Sequence, residues 1–128
     1  MPSGKRIGIV IPSSNVVIEP LAVQRFGKSN DTVHFSRLGV VAIELNAKSL
    51  AQFEMGEQLS AAQKLCDAQV DAIVWGGTSS SWLGIEHDEE YRRFIQQETG
   101  ISTTTCVLEM NRKLASLSAR RISIVTPY

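Results

Sequence analysis

Apolar and polar residues follow one another along the chain in a pattern that predicts strands and helices in turn. Short apolar runs rich in β-branched residues predict buried strands at 6–11, 71–75 and 121–125. Weaker patterns predict two further strands, at 32–39 and 101–104. Turns rich in Gly, Pro, Ser and Asn separate most of these runs from the segments that follow.

Between the strands, apolar residues recur every three or four positions, as they do in amphipathic helices. This spacing predicts helices at 16–26, 49–69, 86–98 and 106–117. Pro20 lies inside the first helix, so an irregular first turn is expected there. The order β-α-β-α-β-α-β-α-β predicts an α/β fold: a mostly parallel sheet, helices on both faces and the first strand in the centre.

Composition narrows the classes of function. Thirteen basic and thirteen acidic residues give a net charge of zero, which argues against electrostatic capture of nucleic acid or anionic membranes. Hydrophobic residues make up 43 % of the chain, as in a folded domain. Its apolar runs are far shorter than the roughly 18–20 residues of a membrane span, and its start does not resemble a signal peptide. A cytoplasmic location, with no membrane or nucleic-acid partner, is therefore expected.

The cysteines and histidines do not have the spacing of a metal site, so no bound metal is predicted. Cys66 falls on the apolar side of a helix and is expected to be buried and not bonded to Cys106. Cys106 begins a helix, where a lowered pKa is one interpretation and simple packing the more common one. His87 and its acidic neighbours, Asp88 among them, are expected at the solvated start of a helix.

Hydroxyl-bearing residues are concentrated where the predicted strands end, which is where parallel sheets bind ligands. The strands are followed by 12–15 (PSSN), 76–81 (GGTSSS), 103–106 (TTTC) and 126–128 (TPY). Hydroxyl and backbone N–H groups at helix N-termini can bind a small carboxylate or phosphate without a full countercharge. Helix capping is the ordinary alternative for each loop alone. The glycine fingerprints of dinucleotide and ATP sites are absent from the sequence, which disfavours those ligands.

Four segments resemble the Asp/Glu racemase superfamily, and most closely its maleate cis-trans isomerase and arylmalonate decarboxylase branches. They are 5–15 (KRIGIVIPSSN), 71–84 (DAIVWGGTSSSWLG), 99–105 (TGISTTT) and 119–128 (ARRISIVTPY). The resemblance implies a two-lobe enzyme with pseudo-twofold symmetry, in which each lobe is a flavodoxin-like parallel sheet and the substrate lies between the lobes. Residues 1–118 would then be the N-terminal α/β lobe, and 119–128 a fifth strand that opens a second lobe absent from this chain.

The resemblance also implies roles for particular residues. Racemases and the isomerase carry a cysteine before Thr in the loop after the third strand, whereas this chain has Gly77 before Thr78, as the decarboxylase branch does. In that branch Thr, Ser and Tyr hydroxyls form a dioxyanion hole for the enediolate left by loss of carbon dioxide. The matching catalytic candidates are Thr78, Ser79 and Tyr128; the substrate-binding candidates are Pro12, Ser13, Ser14, Asn15 and Gly77.

The expected function is the first lobe of a cofactor-independent enzyme acting on a small carboxylate. The reaction is malonate decarboxylation or maleate-type isomerisation, through an enediolate-like or thiol-adduct intermediate. Gly77 favours decarboxylation, whereas Asn15 matches the isomerase branch better. The chain alone is expected to be inactive, because the cysteine that would protonate the carbanion belongs to the second lobe.

The alternative function is a non-catalytic, flavodoxin-like module that binds a small anion in the same loops. A flavin-binding module is disfavoured because the first loop lacks a long phosphate cradle. The sequence is compatible with a homo-oligomer and leaves the oligomeric state open.

Overall fold

The computed structural model describes residues 4–39, 55–78 and 82–125. Its strands are β1 (Arg6–Pro12), β2 (Thr32–Leu38), β3 (Ala72–Trp75) and β4 (Ser102–Thr105), and they form a parallel sheet in the order β2-β1-β3-β4. Its helices are α1 (Ile18–Phe26), α2 (Met55–Asp67), α3 (Ile85–Thr99) and α4 (Cys106–Ser116). The predicted α/β class and the internal position of the first strand are therefore confirmed.

The side chains of β1 alternate between two cores because successive strand residues point to opposite faces of the sheet. Val10 is fully buried in a cluster with residues of α2 and α3. Ile9 and Ile11 point the other way and converge with Ile18 of α1 on the space next to Gly76. Helices therefore cover both faces of the sheet, as predicted.

Local chemistry determines where the helices begin and end. The first begins at Ile18, two residues later than predicted, because the Asn15 side chain accepts hydrogen bonds from the backbone N–H groups of Val17 and Ile18, each at 3.0 Å. Pro20 falls in its first turn, where a missing N–H group is tolerated. α3 ends at Gly100, whose left-handed φ of 70° closes the helix.

The helix predicted at 49–69 is present from Met55 to Asp67, and its first part, 49–54, lies outside the described residues. No helix in the described ranges has the length and apolar character needed to cross a membrane.

The strand predicted at 121–125 is wrong for this structure. These residues have neither helical nor strand pairing, and Ile124 and Val125 are 77 % and 96 % exposed. An alternating apolar pattern indicates a need for burial, but a strand forms only where another strand can pair with it. That residues 119–128 open a second lobe stays a prediction.

Candidate functional site

The sheet order brings two of the hydroxyl-bearing loops together. β1 and β3 are hydrogen-bonded neighbours, so the loops after Pro12 and Trp75 leave the sheet side by side at its carboxyl edge. The backbone N–H of Gly76 donates to the carbonyl of Val10 at 2.8 Å and ties the second loop to the first strand. Six of the predicted site residues therefore share this edge: Pro12, Ser13, Ser14, Asn15, Gly77 and Thr78.

The other two predicted catalytic residues, Ser79 and Tyr128, lie outside the described residues. Their positions at the site remain predictions.

The turn after β1 is held by an arginine from β2. Arg37 Nη1 donates to the backbone carbonyls of Ser13 and Asn15 at 3.0 and 2.9 Å, and its Nη2 pairs with the carboxylate of Glu19 at 2.7 Å. The backbone N–H of Ser13 also donates to the carbonyl of Leu38 at 2.6 Å. This clamp was missed by sequence reasoning, which considered only the loops; the available signal was a basic residue near the carboxyl end of β2.

Asn15 combines a structural role with an available donor. Its Oδ1 caps the first turn of α1 by accepting from Val17 and Ile18. Since this atom must be the acceptor, the amide orientation is determined, and Nδ2 is the donor end. Within the described residues Nδ2 makes no hydrogen bond, so Asn15 can donate to an anion at the edge of the sheet.

The loop after β3 is anchored by a thiol. Cys106, the first residue of α4, donates from Sγ to the carbonyl of Gly77 at 3.1 Å. Gly77 is buried, and the next residue, Thr78, is exposed at the carboxyl edge. The anchored carbonyl therefore directly precedes Thr78, one of the three residues predicted to form the oxyanion hole.

The electrostatic surroundings of Cys106 keep it protonated. Burial, helped by the negative charge of Asp88, raises the pKa of Cys106 to about 11, and the backbone N–H groups of Val107 and Cys106 oppose this only in part. The lowered pKa considered for a cysteine at a helix start is therefore wrong. A protonated thiol is what the hydrogen bond to Gly77 requires, because only S–H can donate.

Neither cysteine forms a disulfide, as predicted. Cys66 is half-buried rather than buried, and its Sγ donates to the carbonyl of Ala62, four residues earlier in the helix, at 3.6 Å. Partial burial is the main cause of the raised pKa of Cys66.

Asp88 is 1 % exposed, which contradicts the solvated helix start predicted for it. Asp88, Tyr91 and Ile95 are spaced by three and four residues and form the buried face of α3. Burial raises the pKa of Asp88, and the nearby hydroxyl of Thr105 and the charge of His87 lower it by less. The Thr105 hydroxyl does not make a hydrogen bond of ordinary geometry with either carboxylate oxygen.

The hydroxyl-rich loop predicted at 103–106 is absent, because β4 continues directly into α4. The Thr105 hydroxyl accepts from the backbone N–H of Leu108 at 3.1 Å and caps that helix. The Thr104 hydroxyl donates to the Glu109 carboxylate at 2.6 Å. Here the capping alternative is correct, and these hydroxyls are engaged in local structure.

The described part of the site thus belongs to a parallel α/β lobe that presents neutral hydrogen-bond donors at its carboxyl edge. A family model for arylmalonate decarboxylase matches residues 7–128. The chain belongs to the arylmalonate decarboxylase family. Among curated proteins none matches significantly.

Two solved structures of arylmalonate decarboxylase share the fold. Unliganded arylmalonate decarboxylase aligns with a TM-score of 0.75 and 19 % identity, over 97 % of this chain and 50 % of that chain. A double mutant of arylmalonate decarboxylase in its liganded form aligns with a TM-score of 0.76 and 19 % identity, over 97 % of this chain and 51 % of that chain.

A mutant of maleate cis-trans isomerase from Nocardia farcinica, carrying a covalently bound succinylcysteine intermediate, gives a TM-score of 0.79 and 23 % identity, over 97 % of this chain and 53 % of that chain. This chain therefore spans about half the length of the solved structures that it resembles.

Proposed function

We propose that this chain is the N-terminal lobe of a cofactor-independent enzyme that decarboxylates a malonate-type dicarboxylate. One observation carries the choice of reaction: the loop after β3 has Gly77, which has no side chain, where racemases and the isomerase carry a cysteine, and an exposed Thr78 follows it. Membership of the arylmalonate decarboxylase family supports the same reaction class.

The proposed chemistry needs donors that respond to a developing charge. When the bond to the departing carboxylate breaks, its electron pair moves onto the remaining carboxyl group, carbon dioxide leaves and an enediolate forms. Hydroxyls of Thr78, Ser79 and Tyr128 are proposed to stabilise that charge. A cysteine of the second lobe then gives its proton to the carbanion.

The charges around the described loops fit this role. Arg37 holds the first loop, and its guanidinium is paired with Glu19 and with two backbone carbonyls. Substrate binding at this edge would therefore use neutral donors, including the Asn15 amide. Neutral donors placed in advance favour a charge that is spread over two oxygens in the transition state.

Maleate-type isomerisation is the second candidate reaction. Its support is the Pro-Ser-Ser-Asn turn, in which Asn15 Oδ1 accepts from Val17 and Ile18, so that Nδ2 is the donor end proposed to hold a carboxylate. A covalent adduct would require a thiol from the second lobe, since position 77 is glycine.

The proposal can be tested with a two-lobe chimera, in which this chain is joined to the C-terminal half of arylmalonate decarboxylase. A folded chimera is expected to release carbon dioxide from an arylmalonate, while this chain alone releases none. Maleate is tested in parallel for conversion to fumarate, which would favour the second candidate.

Malonate binding to the unjoined chain provides a measurement that does not depend on the chimera. We expect NMR shift changes at Asn15 and Thr78 on addition of malonate. A folded chimera that binds malonate and turns over neither substrate would contradict the enzyme assignment and favour the anion-binding module. Absence of malonate-induced shifts at both residues would contradict the site itself.

A further inference from the structure

Gly77 lies directly against the indole ring of Trp75. A Cβ atom built on Gly77 overlaps Cζ2 of that ring and lies 2.7 Å from Cε2 and 3.0 Å from Cη2. Ordinary van der Waals contact begins at 3.4 Å. Any side chain at position 77 therefore requires the ring, or the loop, to move.

The ring of Trp75 has little freedom to move. It is 1 % exposed, belongs to the core cluster between the sheet and α2 and α3, and lies 6.4 Å from the Tyr91 ring, centroid to centroid. Its strand position is between Val10 on one side and Thr105 on the other. Protein cores are packed closely enough that displacing such a ring disturbs its neighbours.

The backbone conformation at position 77 does not require a glycine. The glycines with a left-handed φ in the described residues are Gly84 and Gly100, so the backbone at position 77 would accept an L-residue. The obstacle is the volume taken by the Trp75 ring.

We propose that Trp75 is a specificity-determining residue, because its ring fills the space that a side chain at position 77 would need. The loop then offers its backbone and the Thr78 hydroxyl to a substrate and cannot carry a thiol before Thr78. This specificity role rests on the proposed function, whereas the steric relation between Trp75 and Gly77 does not.

Substitution of Gly77 alone should therefore disturb the loop. Gly77→Cys would push the loop away from the ring and strain the hydrogen bond from Cys106 to the Gly77 carbonyl. Introducing a thiol at this position therefore requires a second substitution that shortens Trp75.

A stability cycle on the unjoined chain tests the steric part. Gly77→Ala is expected to lower the melting temperature by about 5–10 °C, because overpacking a core is destabilising. In the Trp75→Phe background, which lacks the indole atoms Cζ2 and Cη2, the same substitution should lower it by less than about 2 °C. Circular dichroism follows unfolding in all four proteins.

Gly76→Ala is the matched control. Its Cβ would point to the opposite face and meet Ile9, Ile11 and Ile18 at 3.1–3.3 Å. Its effect on the melting temperature should therefore be the same with and without Trp75→Phe.

Equal losses from Gly77→Ala in both backgrounds, or no loss in either, would overturn the proposal. If Gly77→Ala does not fold, recovery of folding by Trp75→Phe supports the proposal and failure to recover contradicts it. Because this cycle needs no substrate, its outcome is separate from that of the decarboxylation assay.

The specificity part is tested in the two-lobe chimera. Gly77→Cys is expected to add racemisation of a chiral 2-aryl acid when Trp75→Phe is also present, and at least tenfold less without it. Equal racemisation by the single and double variants would overturn the role of Trp75.

Discussion

At the scale of single residues, the candidate site depends on groups behind it as well as on groups facing it. Cys106 holds the Gly77 carbonyl, and the buried carboxyl of Asp88 adds a negative charge that helps to keep the thiol protonated. Neither residue faces the substrate in the proposed reaction. Their effect is to hold the loop that carries Thr78.

The first prediction concerns Asp88 and pH. Because burial raises its pKa, the native state holds the proton more tightly than the unfolded state, whose pKa is about 3.9. The resulting stability is fully present below that value and is lost as the pH rises through the raised pKa. Asp88→Asn removes this loss of stability. The melting temperature of the variant minus that of the wild type should therefore be larger at pH 7 than at pH 4.

Glu90→Gln is the matched control for this experiment, because Glu90 is an exposed carboxylate on the same helix. It should leave the pH dependence unchanged. An Asp88→Asn protein whose melting temperature differs from the wild type equally at both pH values would show that this carboxyl does not titrate as expected.

The second prediction concerns the proposed oxyanion donors in the two-lobe chimera. Thr78→Ala, Ser79→Ala and Tyr128→Phe should each lower kcat by about 10²–10³ and change KM little, because the charge that they meet is absent from the bound substrate. Initial rates of carbon dioxide release over a range of substrate concentrations give both constants.

Thr32→Ala serves as the control, since Thr32 is an exposed hydroxyl at the amino end of β2. Its kcat should match that of the unsubstituted chimera. If the three site variants change kcat by less than about threefold, or alter KM alone, the hydroxyls bind the ground state only.

At the scale of secondary-structure elements, polar contacts at its first turn help to hold α1 against the sheet. None of its nine residues is buried, and Leu21 and Val23 are each 57 % exposed. The Asn15 cap and the pair between Arg37 and Glu19 connect its start to the sheet. The same cap positions the amide that we propose to face the substrate.

The third prediction separates these two roles of Asn15. Asn15→Ala removes the cap and should lower stability by about 1 kcal/mol, and it should also weaken malonate binding. Asn15→Asp keeps an acceptor for Val17 and Ile18 but replaces the N–H₂ donor by a negative charge. It should therefore retain the melting temperature and lose malonate binding, measured by thermal unfolding and NMR titration. Retained malonate binding in Asn15→Asp would exclude the amide as a ligand.

At the scale of the whole molecule, the sequence predicts the sheet better than the contacts at its edge. The strands were predictable because short runs rich in β-branched residues, such as 7–11 and 72–75, are typical of buried strands. The burial of Asp88 was not predicted, because a carboxylate among acidic neighbours is usually solvated. Its helical phase with Tyr91 and Ile95 was the signal that sequence reasoning passed over.

Long-range contacts account for the rest of what was missed. The thiol of Cys106 and the Gly77 carbonyl are twenty-nine residues apart, and Arg37 reaches the first loop from a different strand. Such pairs appear only when the order and register of the strands are known. Residues 121–125 have the residue pattern of a strand but do not form one in this structure. The pattern alone does not specify which strand would pair with them.

The exposed segment at 121–125 has a consequence for how the isolated chain behaves in solution. Alternating β-branched residues with an unpaired backbone are the usual starting point of cross-β aggregation, and Arg120 and Arg121 at its start act as charged gatekeepers. Ile124→Lys should therefore delay concentration-dependent light scattering more than Leu21→Lys, which adds the same charge to an exposed apolar site on α1. Equal delays would mean that net charge alone governs the colloidal stability of this lobe.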